Sequence, residues 1–487
     1  MRNYPKGKLV AWALLLFAIP AYPAEQQSLD TLSPANIIID GRFKDWQGID
    51  PLISSVNENG LLQSLRLADD EKYLFIRLEF RRMVNLQSGN EITLYLDMDA
   101  DAATGLPRGA LGADAAFTFG QRRGWIFSGN DTVSIQYESL GLVAAPTMES
   151  TEFEIALNWG ASREVKVLGF GSAPLKMRIT DEETGEASPI VTYRPRRRPH
   201  SAPPDINLEK EDANHLRLVT HNVNRRHFDP EKRDAFRRVY AALQPDLLLL
   251  QEAYEGMPQE VLDYFRMAIG APLSGRWYAY KAGEEATVLL SPFPASAVVP
   301  LGNSAAYLLD LSEPYSGKLV LIALSMPCCD LDDARQAEAD MIMAFIANLK
   351  EGKTLDSIPP NTPVILAGDA NLVRKTAPYL TLLEGRIHDT LAYGPGAFPD
   401  WDDSPFTDLL PLHLQKPMAF TWRGKGYFPG RMDFIIYSDS VVEIGRNFVF
   451  DTVGLPEEVL NRYQLREEDA PNTYKHQPVV ADLILER

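Results

Sequence analysis

Val364-Ile365-Leu366-Ala367-Gly368-Asp369-Ala370-Asn371 runs four apolar residues into a glycine, a carboxylate and, one residue on, a carboxamide. An apolar run of this length that ends in a turn residue predicts a strand buried on both faces. Gly368 is expected to let the backbone turn there without a Cβ clash. Asp369 and Asn371 then fall at the strand's C-terminal edge, where α/β sheets bind ligands. Two residues apart in extended chain, their side chains point the same way. One offers a carboxylate to a metal or a water, the other an amide donor to an oxyanion. By itself the stretch also fits a Gly-Asp turn closing a core strand, so the case for a site rests on what the rest of the chain supplies.

Working outward, 487 residues are too many for one ordinary core, and two or three domains are expected. Hydrophobic content of 45% with 23% charged residues is that of a globular chain. The net charge of −18 lacks the electrostatic footprint of a general nucleic-acid binder, which argues against a DNA-coating role. It leaves open an enzyme that approaches phosphates through a bound cation.

Residues 1–24 read as a signal peptide. Arg2, Lys6 and Lys8 precede the apolar run Leu9 to Ile19, and Pro20, Ala21 and Ala24 follow. The run is too short for a stable membrane-spanning helix, and no longer apolar stretch follows it. The expectation is a periplasmic or secreted protein that is not an integral membrane protein after processing. An uncleaved anchor is the alternative. Cys328 and Cys329 are the only cysteines and are neighbours, so they cannot staple distant parts of the fold. They read as two small buried residues, with a strained vicinal disulfide as the alternative.

From Ile37 to about Pro189 the sequence is a series of short alternating strands, among them Lys72 to Phe80, Glu91 to Leu96 and Glu152 to Leu157. Turn clusters such as Ser88-Gly89-Asn90 separate them, which predicts a β-sandwich over 34–186. Residues 187–214 hold Arg194-Pro195-Arg196-Arg197-Arg198-Pro199 and Ala202-Pro203-Pro204, and read as a Pro/Arg-rich linker. From His215 strands alternate with helices: Leu216 to Thr220, a helix from Pro230 to Leu243, Pro245 to Leu250, Lys318 to Leu324, and a long helix from Asp333 to Leu349. That order predicts an α/β domain over 215–487.

Two stretches give the sandwich a family likeness. Ile39-Asp40-Gly41-Arg42-Phe43-Lys44-Asp45-Trp46 and Leu96-Asp97-Met98-Asp99-Ala100-Asp101-Ala102-Ala103-Thr104-Gly105, the latter followed by Gly112-Ala113-Asp114, resemble the family 9 carbohydrate-binding and DOMON-like modules. Carboxylates at alternate positions repel one another unless a hard cation gathers them. A structural Ca²⁺ held by Asp97, Asp99 and Asp101 is expected, as in that group. Contact with a glycan or another cell-envelope component is a further expectation.

In the second half the strand edges carry Thr220-His221-Asn222-Val223-Asn224, Gln251-Glu252, Gly368-Asp369-Ala370-Asn371, Gly430-Arg431-Met432-Asp433 and Lys475-His476. This set, in this order, resembles the endonuclease/exonuclease/phosphatase superfamily. The likeness implies a four-layer sandwich, two mixed sheets face to face with helices outside. It implies a divalent-metal-dependent phosphoesterase, with Mg²⁺ or Mn²⁺ as the catalytic ion and a phosphodiester or phosphomonoester substrate. Small molecule, lipid head group and nucleic acid all stay open as that substrate. By the same likeness Glu252 and Asn222 bind the metal, and Asp369 aligns or deprotonates the water. Asn371 holds the phosphoryl oxygens, His476 contacts the phosphate and assists proton transfer, and Asp433 orients the imidazole. Each role suits its side chain.

Two positions depart from the family pattern. Lys475 stands where an aspartate usually helps hold the metal, and Ser325 stands where many members carry a histidine. The competing expectation is therefore a catalytically weakened or inactive member that serves as an envelope or glycan binding protein.

Overall fold

Strand Val364–Asp369 is buried along its whole length. Val364 and Leu366 join an apolar cluster with Ile342, Met343 and Ile346 of helix Asp332–Lys350. Ile365 and Ala367 join a different cluster, with Leu218, Leu249 and Ala481. Alternate residues of one strand therefore serve two layers, which is why no position in the run tolerates a polar side chain.

The computed structural model of the protein describes residues 36–485, apart from 55–59, 130, 163–173, 200–204, 285, 354–357 and 474. The segment read as a signal peptide lies outside them. Among the described residues no helix is long and apolar enough to cross a membrane.

The chain is strand-rich. Its second half carries two six-stranded sheets, each with one parallel pair among antiparallel neighbours. In one sheet Leu216–Asn222 lies between Leu247–Gln251 and Val479–Ile484. In the other, Val364–Asp369 lies between Lys318–Ser325 and Asp433–Tyr437. Both sheets contribute to one shared apolar cluster. The first sheet's Val219, Leu248 and Leu250 pack on Phe236 and Val239 of helix Arg233–Leu243 and Phe265 of helix Pro258–Ile269. The first of these helices starts three residues later than its sequence suggests, because Asp229 to Lys232 close a turn instead.

The first half forms a five-stranded and a six-stranded antiparallel sheet. Their inner faces meet in one core, with Leu78 and Phe153 from one sheet and Leu94, Phe117 and Ile179 from the other. The stretch 187–214 is engaged at its start: Val191–Tyr193 adds an edge strand, and the Asp69 carboxylate accepts the backbone N–H groups of Arg196 and Arg197.

Residues Pro34–Arg487 make one compact unit, and its two halves share two apolar clusters, one reached by Phe428 of the second half and the other by Met418 and Phe420. Phe428, on the hairpin Trp422–Gly424/Tyr427–Gly430, is a member of the first half's core. Its ring lies 5.9 Å from those of Phe117 and Tyr137 and 6.5 Å from that of Phe119. The Phe428 N–H donates to Gln87 Oε1 at 2.8 Å, Tyr137 Oη to the Gly424 carbonyl at 2.6 Å, and the Arg431 N–H to Thr147 Oγ1 at 2.9 Å.

Candidate active site

The strand register gathers the candidate side chains. Asp369 lies opposite Ser325 on one neighbouring strand and Asp433 on the other, and Asn222 lies opposite Gln251 in the facing sheet. Gly368 is what lets the two sheets close at this edge. A Cβ there would stand 2.2 Å from the Leu324 carbonyl oxygen and 2.9 Å from Gln251 Nε2. Gly368 therefore permits a close approach within the strand rather than a turn, which corrects the expectation from its Gly-Asp sequence.

At the closed edge, His476 Nδ1 sits 2.9 and 3.1 Å from the two carboxylate oxygens of Asp433. Thr421 Oγ1 donates to Asp433 at 2.7 Å, holding it from behind. On the imidazole's other side, Nε2 is 3.9 Å from Asp369 Oδ2. Asn222 Nδ2 spans Asp369 Oδ2 at 2.8 Å and Glu252 Oε1 at 3.0 Å, and its own oxygen accepts the Asn224 N–H at 2.9 Å. Asn371 donates through Nδ2 to the Met326 carbonyl at 2.9 Å, which fixes its amide plane. Glu252 and Asn371 both adopt left-handed backbone, with φ of 54° and 47°. Strain of this kind in non-glycine residues collects at functional sites.

Burial disfavours the His476 imidazolium, but the facing carboxylates of Asp433, Asp369 and Glu252 outweigh it and raise the pKa to about 9. Burial pushes the Asp369 carboxyl up to about 7, against the pull of His476 and the Asn222 amide. His221 behaves oppositely: burial drives it down to about 3, so it is neutral. Its Nδ1 pairs with Tyr240 Oη at 2.9 Å and its Nε2 with the His476 carbonyl at 3.2 Å, so it holds the His476 backbone rather than reacting.

These groups open onto a cavity of about 620 Å³, whose lining includes Glu252, Asp369, Asn371, Lys475 and His476. Ser325 is buried beside Asp369 in the register, and its N–H donates to Ser304 Oγ at 3.1 Å. Cys328 and Cys329 are free and exposed on the cavity rim, not buried. They follow Pro327, past the end of strand Lys318–Ser325, where no sheet covers them. Two contributors escape sequence reasoning, Thr421 behind Asp433 and the turn Asn85–Ser88 of the first half, which walls the same cavity; Asn224, beside Glu252, belongs to a motif the sequence offers but without a role there. Only their polarity marked them, and many surface residues share it.

A second acidic group lies in the first half, where Asp97, Asp99 and Asp114 bring carboxylate oxygens within 4.8 Å of one another. Asp101 is not of this group; its carboxylate accepts the Ala103 N–H at 2.9 Å. Asp114 is sixteen residues beyond Met98 and receives its N–H at 2.7 Å, so the closing acid comes from a neighbouring strand end rather than from the loop. Burial pushes the Asp114 carboxyl up to about 6, with Asp99 and Asp97 adding to it.

Residues 219–454 match the model of the Endonuclease/Exonuclease/phosphatase family. The matched span holds Asn222, Glu252, Asp369, Asn371 and Asp433, whereas Lys475 and His476 lie beyond it. No curated protein matches the chain. Similar solved structures include D. rerio TDP2 complexed with single strand DNA product. It is 14% identical over 56% of this chain and 99% of that one, with a TM-score of 0.36. ANGEL2, a 2',3'-cyclic phosphatase, is 13% identical over 56% and 96%, with a TM-score of 0.38. A mannosyl-6-phosphatase of Bacteroides thetaiotaomicron is 14% identical over 55% and 100%, with a TM-score of 0.34.

Proposed function

We propose that the protein is an exported hydrolase of phosphoric esters, a four-layer α/β catalytic half fused to a module similar to family 9 carbohydrate-binding and DOMON-like sandwiches. The observation that carries this reading is His476 set between Asp433 and Asp369 at the base of an open cavity. In this reading Asp369 takes a proton from the attacking water as its oxygen bonds to phosphorus. His476 gives its Nε2 proton to the leaving alkoxide as the P–O bond breaks, so an alcohol and a phosphate leave. Asp433 keeps the imidazole charged and oriented. An amide nitrogen carries two N–H groups, so Asn371 has one to offer a phosphoryl oxygen beyond that given to Met326.

The donor set suits a hard divalent cation. Glu252 lines the cavity, its carboxylate accepts from the Asn222 and Asn224 amides, and Arg225 Nε stands 4.0 Å from it. Mg²⁺ commonly binds through one or two carboxylates and keeps several waters. Glu252 and Asn222 would hold Mg²⁺ or Mn²⁺, which when bound supplies positive charge to the phosphoryl oxygens.

The pH–rate profile tests the acid–base pairing. Asp369 must be ionised, so the rate is expected to fall below about pH 7; His476 must be protonated, so it is expected to fall above about pH 9. The two limbs belong to the pair jointly. Hydrolysis of bis(p-nitrophenyl) phosphate measured from pH 5 to 11 should show this bell. A rate still rising through pH 10 removes His476 from the acid role.

We also assign Asp97, Asp99 and Asp114 to a structural Ca²⁺. Asp97 Oδ1 is buried with no hydrogen-bond partner, which a cation would satisfy; Lys176 Nζ reaches only the other oxygen, at 3.8 Å. A ligand that binds only the folded state raises the melting temperature by mass action. Excess EGTA is therefore expected to lower the melting temperature of the full chain, and Ca²⁺ to restore it. An unchanged melt with no calcium by elemental analysis contradicts the assignment.

A further inference from the structure

The turn Asn85–Ser88 belongs to the first half of the chain, yet it forms one wall of the cavity that holds Asp369 and His476. It is a built wall. Leu86 is anchored in the first half's core, and Asn90 Nδ2 donates to the carbonyls of Asn85, Leu86 and Ser88 at 2.7, 3.2 and 3.3 Å. The Gln87 side chain holds the Phe428 N–H, and the Gln87 carbonyl accepts from Arg122 at 2.5 Å. Arg122 in turn lies over the Tyr427 ring, 4.1 Å from its centroid. Leu86 and Asn90 hold the wall to the first half and the Gln87 contacts tie it to the hairpin, so the wall is preorganised rather than ordered by a ligand.

The cavity lining is chemically mixed. His476, Lys475 and Arg374 bring basic groups to it, and Glu252, Asp330 and Asp369 acidic ones. Asn85, Ser88 and Asn224 line it with amides and a hydroxyl, groups that both donate and accept. Trp422 and Tyr427 add ring surface. An alcohol hydroxyl also both donates and accepts, so a row of such groups matches a polyhydroxylated moiety, whose C–H faces rest on aromatic rings. A cavity of about 620 Å³ is of small-ligand size.

We propose that the Asn85–Ser88 turn is part of the substrate site. It reads the alcohol side of a phosphate ester of a small polyhydroxylated alcohol, and Asn85 and Ser88 are specificity-determining residues. The first half of the chain is then a component of the cavity and not only a separate binding module. The inference rests on the hydrolytic reading for the placement of the phosphate, but its test is a binding measurement.

Titration calorimetry on the full chain carrying Asp369→Asn, in Mg²⁺, would compare inorganic phosphate, glucose 6-phosphate and adenosine 5'-monophosphate. Glucose 6-phosphate is expected to bind at least about tenfold tighter than inorganic phosphate. Asn85→Ala and Ser88→Ala should each cut that ratio by roughly three- to tenfold, the worth of one hydrogen bond, and leave phosphate affinity unchanged. Unchanged melting temperatures would show that the variants are folded. A ratio near one, a ratio unmoved by both variants, tighter binding of the nucleotide, or no binding of any probe overturns the proposal. If the native chain hydrolyses no phosphoester while the ratio and its sensitivity hold, the hydrolytic reading fails and this one stands.

Discussion

Asp369→Asn and His476→Gln are each expected to lower kcat on a phosphoester by about 10²–10⁴-fold, the usual worth of a positioned general acid or base. Asp369→Asn keeps the side-chain shape and an oxygen for the Asn222 amide, and removes a buried charge. The fold should therefore survive it, and the loss reports on chemistry. His476→Gln keeps an N–H for Asp433 but cannot deliver a proton to a leaving group. Because the two groups act as a unit, the double variant should lose little more than the worse single one. The measurement is kcat on bis(p-nitrophenyl) phosphate, with a thermal melt of each variant. A loss below tenfold in a folded variant contradicts the assigned role.

Phe428→Ala is expected to cost about 3–5 kcal/mol, the range for removing a buried aromatic from a core. The site argues for the upper part of that range. The ring is fully buried, sits among three other aromatics, and carries the second half of the chain into the sandwich core of the first. Activity should fall too. The hairpin continues from Thr421, which holds Asp433, and Trp422 pairs across to His476. Gln477 N–H also donates to the Thr421 carbonyl at 2.7 Å. Loosening the hairpin thus loosens the Asp433–His476 pair, although Phe428 touches neither member. Urea unfolding monitored by fluorescence gives the stability change, and a value under 1 kcal/mol contradicts the pinning role. Kinetics at 25 °C give the second effect.

The most legible features were those encoded by periodicity along one strand. The run from Val364 to Ala367 is apolar at both odd and even positions because two layers need it, and that pattern is visible before any partner is known. The long helix was placed to within one residue at each end, Asp332–Lys350 against 333–349. The polar residues after the strands were legible as a set because their chemistry converges. What was not legible depends on contacts between distant parts of the chain. Gly368 looked like a turn residue, since nothing local reveals the Leu324 carbonyl pressing on it. Asp101 keeps the loop's spacing, yet the carboxylates that lie close together are those of Asp97, Asp99 and Asp114, the last brought in by strand pairing. Cys328 and Cys329 looked like small core residues, since composition cannot say that the strand ends before them. Phe428 and Gln87 meet across 341 positions, and no pattern in either segment points to the other.

The most direct test of the hydrolytic reading is the rate of bis(p-nitrophenyl) phosphate hydrolysis as a function of Mg²⁺ or Mn²⁺, for the native chain and for Lys475→Asp. Lys475 lines the same cavity as Glu252 and stands where the family resemblance places an acid. Its charge opposes a cation there, an effect reduced by solvent and salt. The native chain should therefore be silent in EDTA and reach its full rate only at high metal. Lys475→Asp should reach half its maximal rate at a lower concentration. A native rate unaffected by EDTA and lost in Lys475→Asp would contradict the account, because the lysine would then be supplying the charge assigned to the metal.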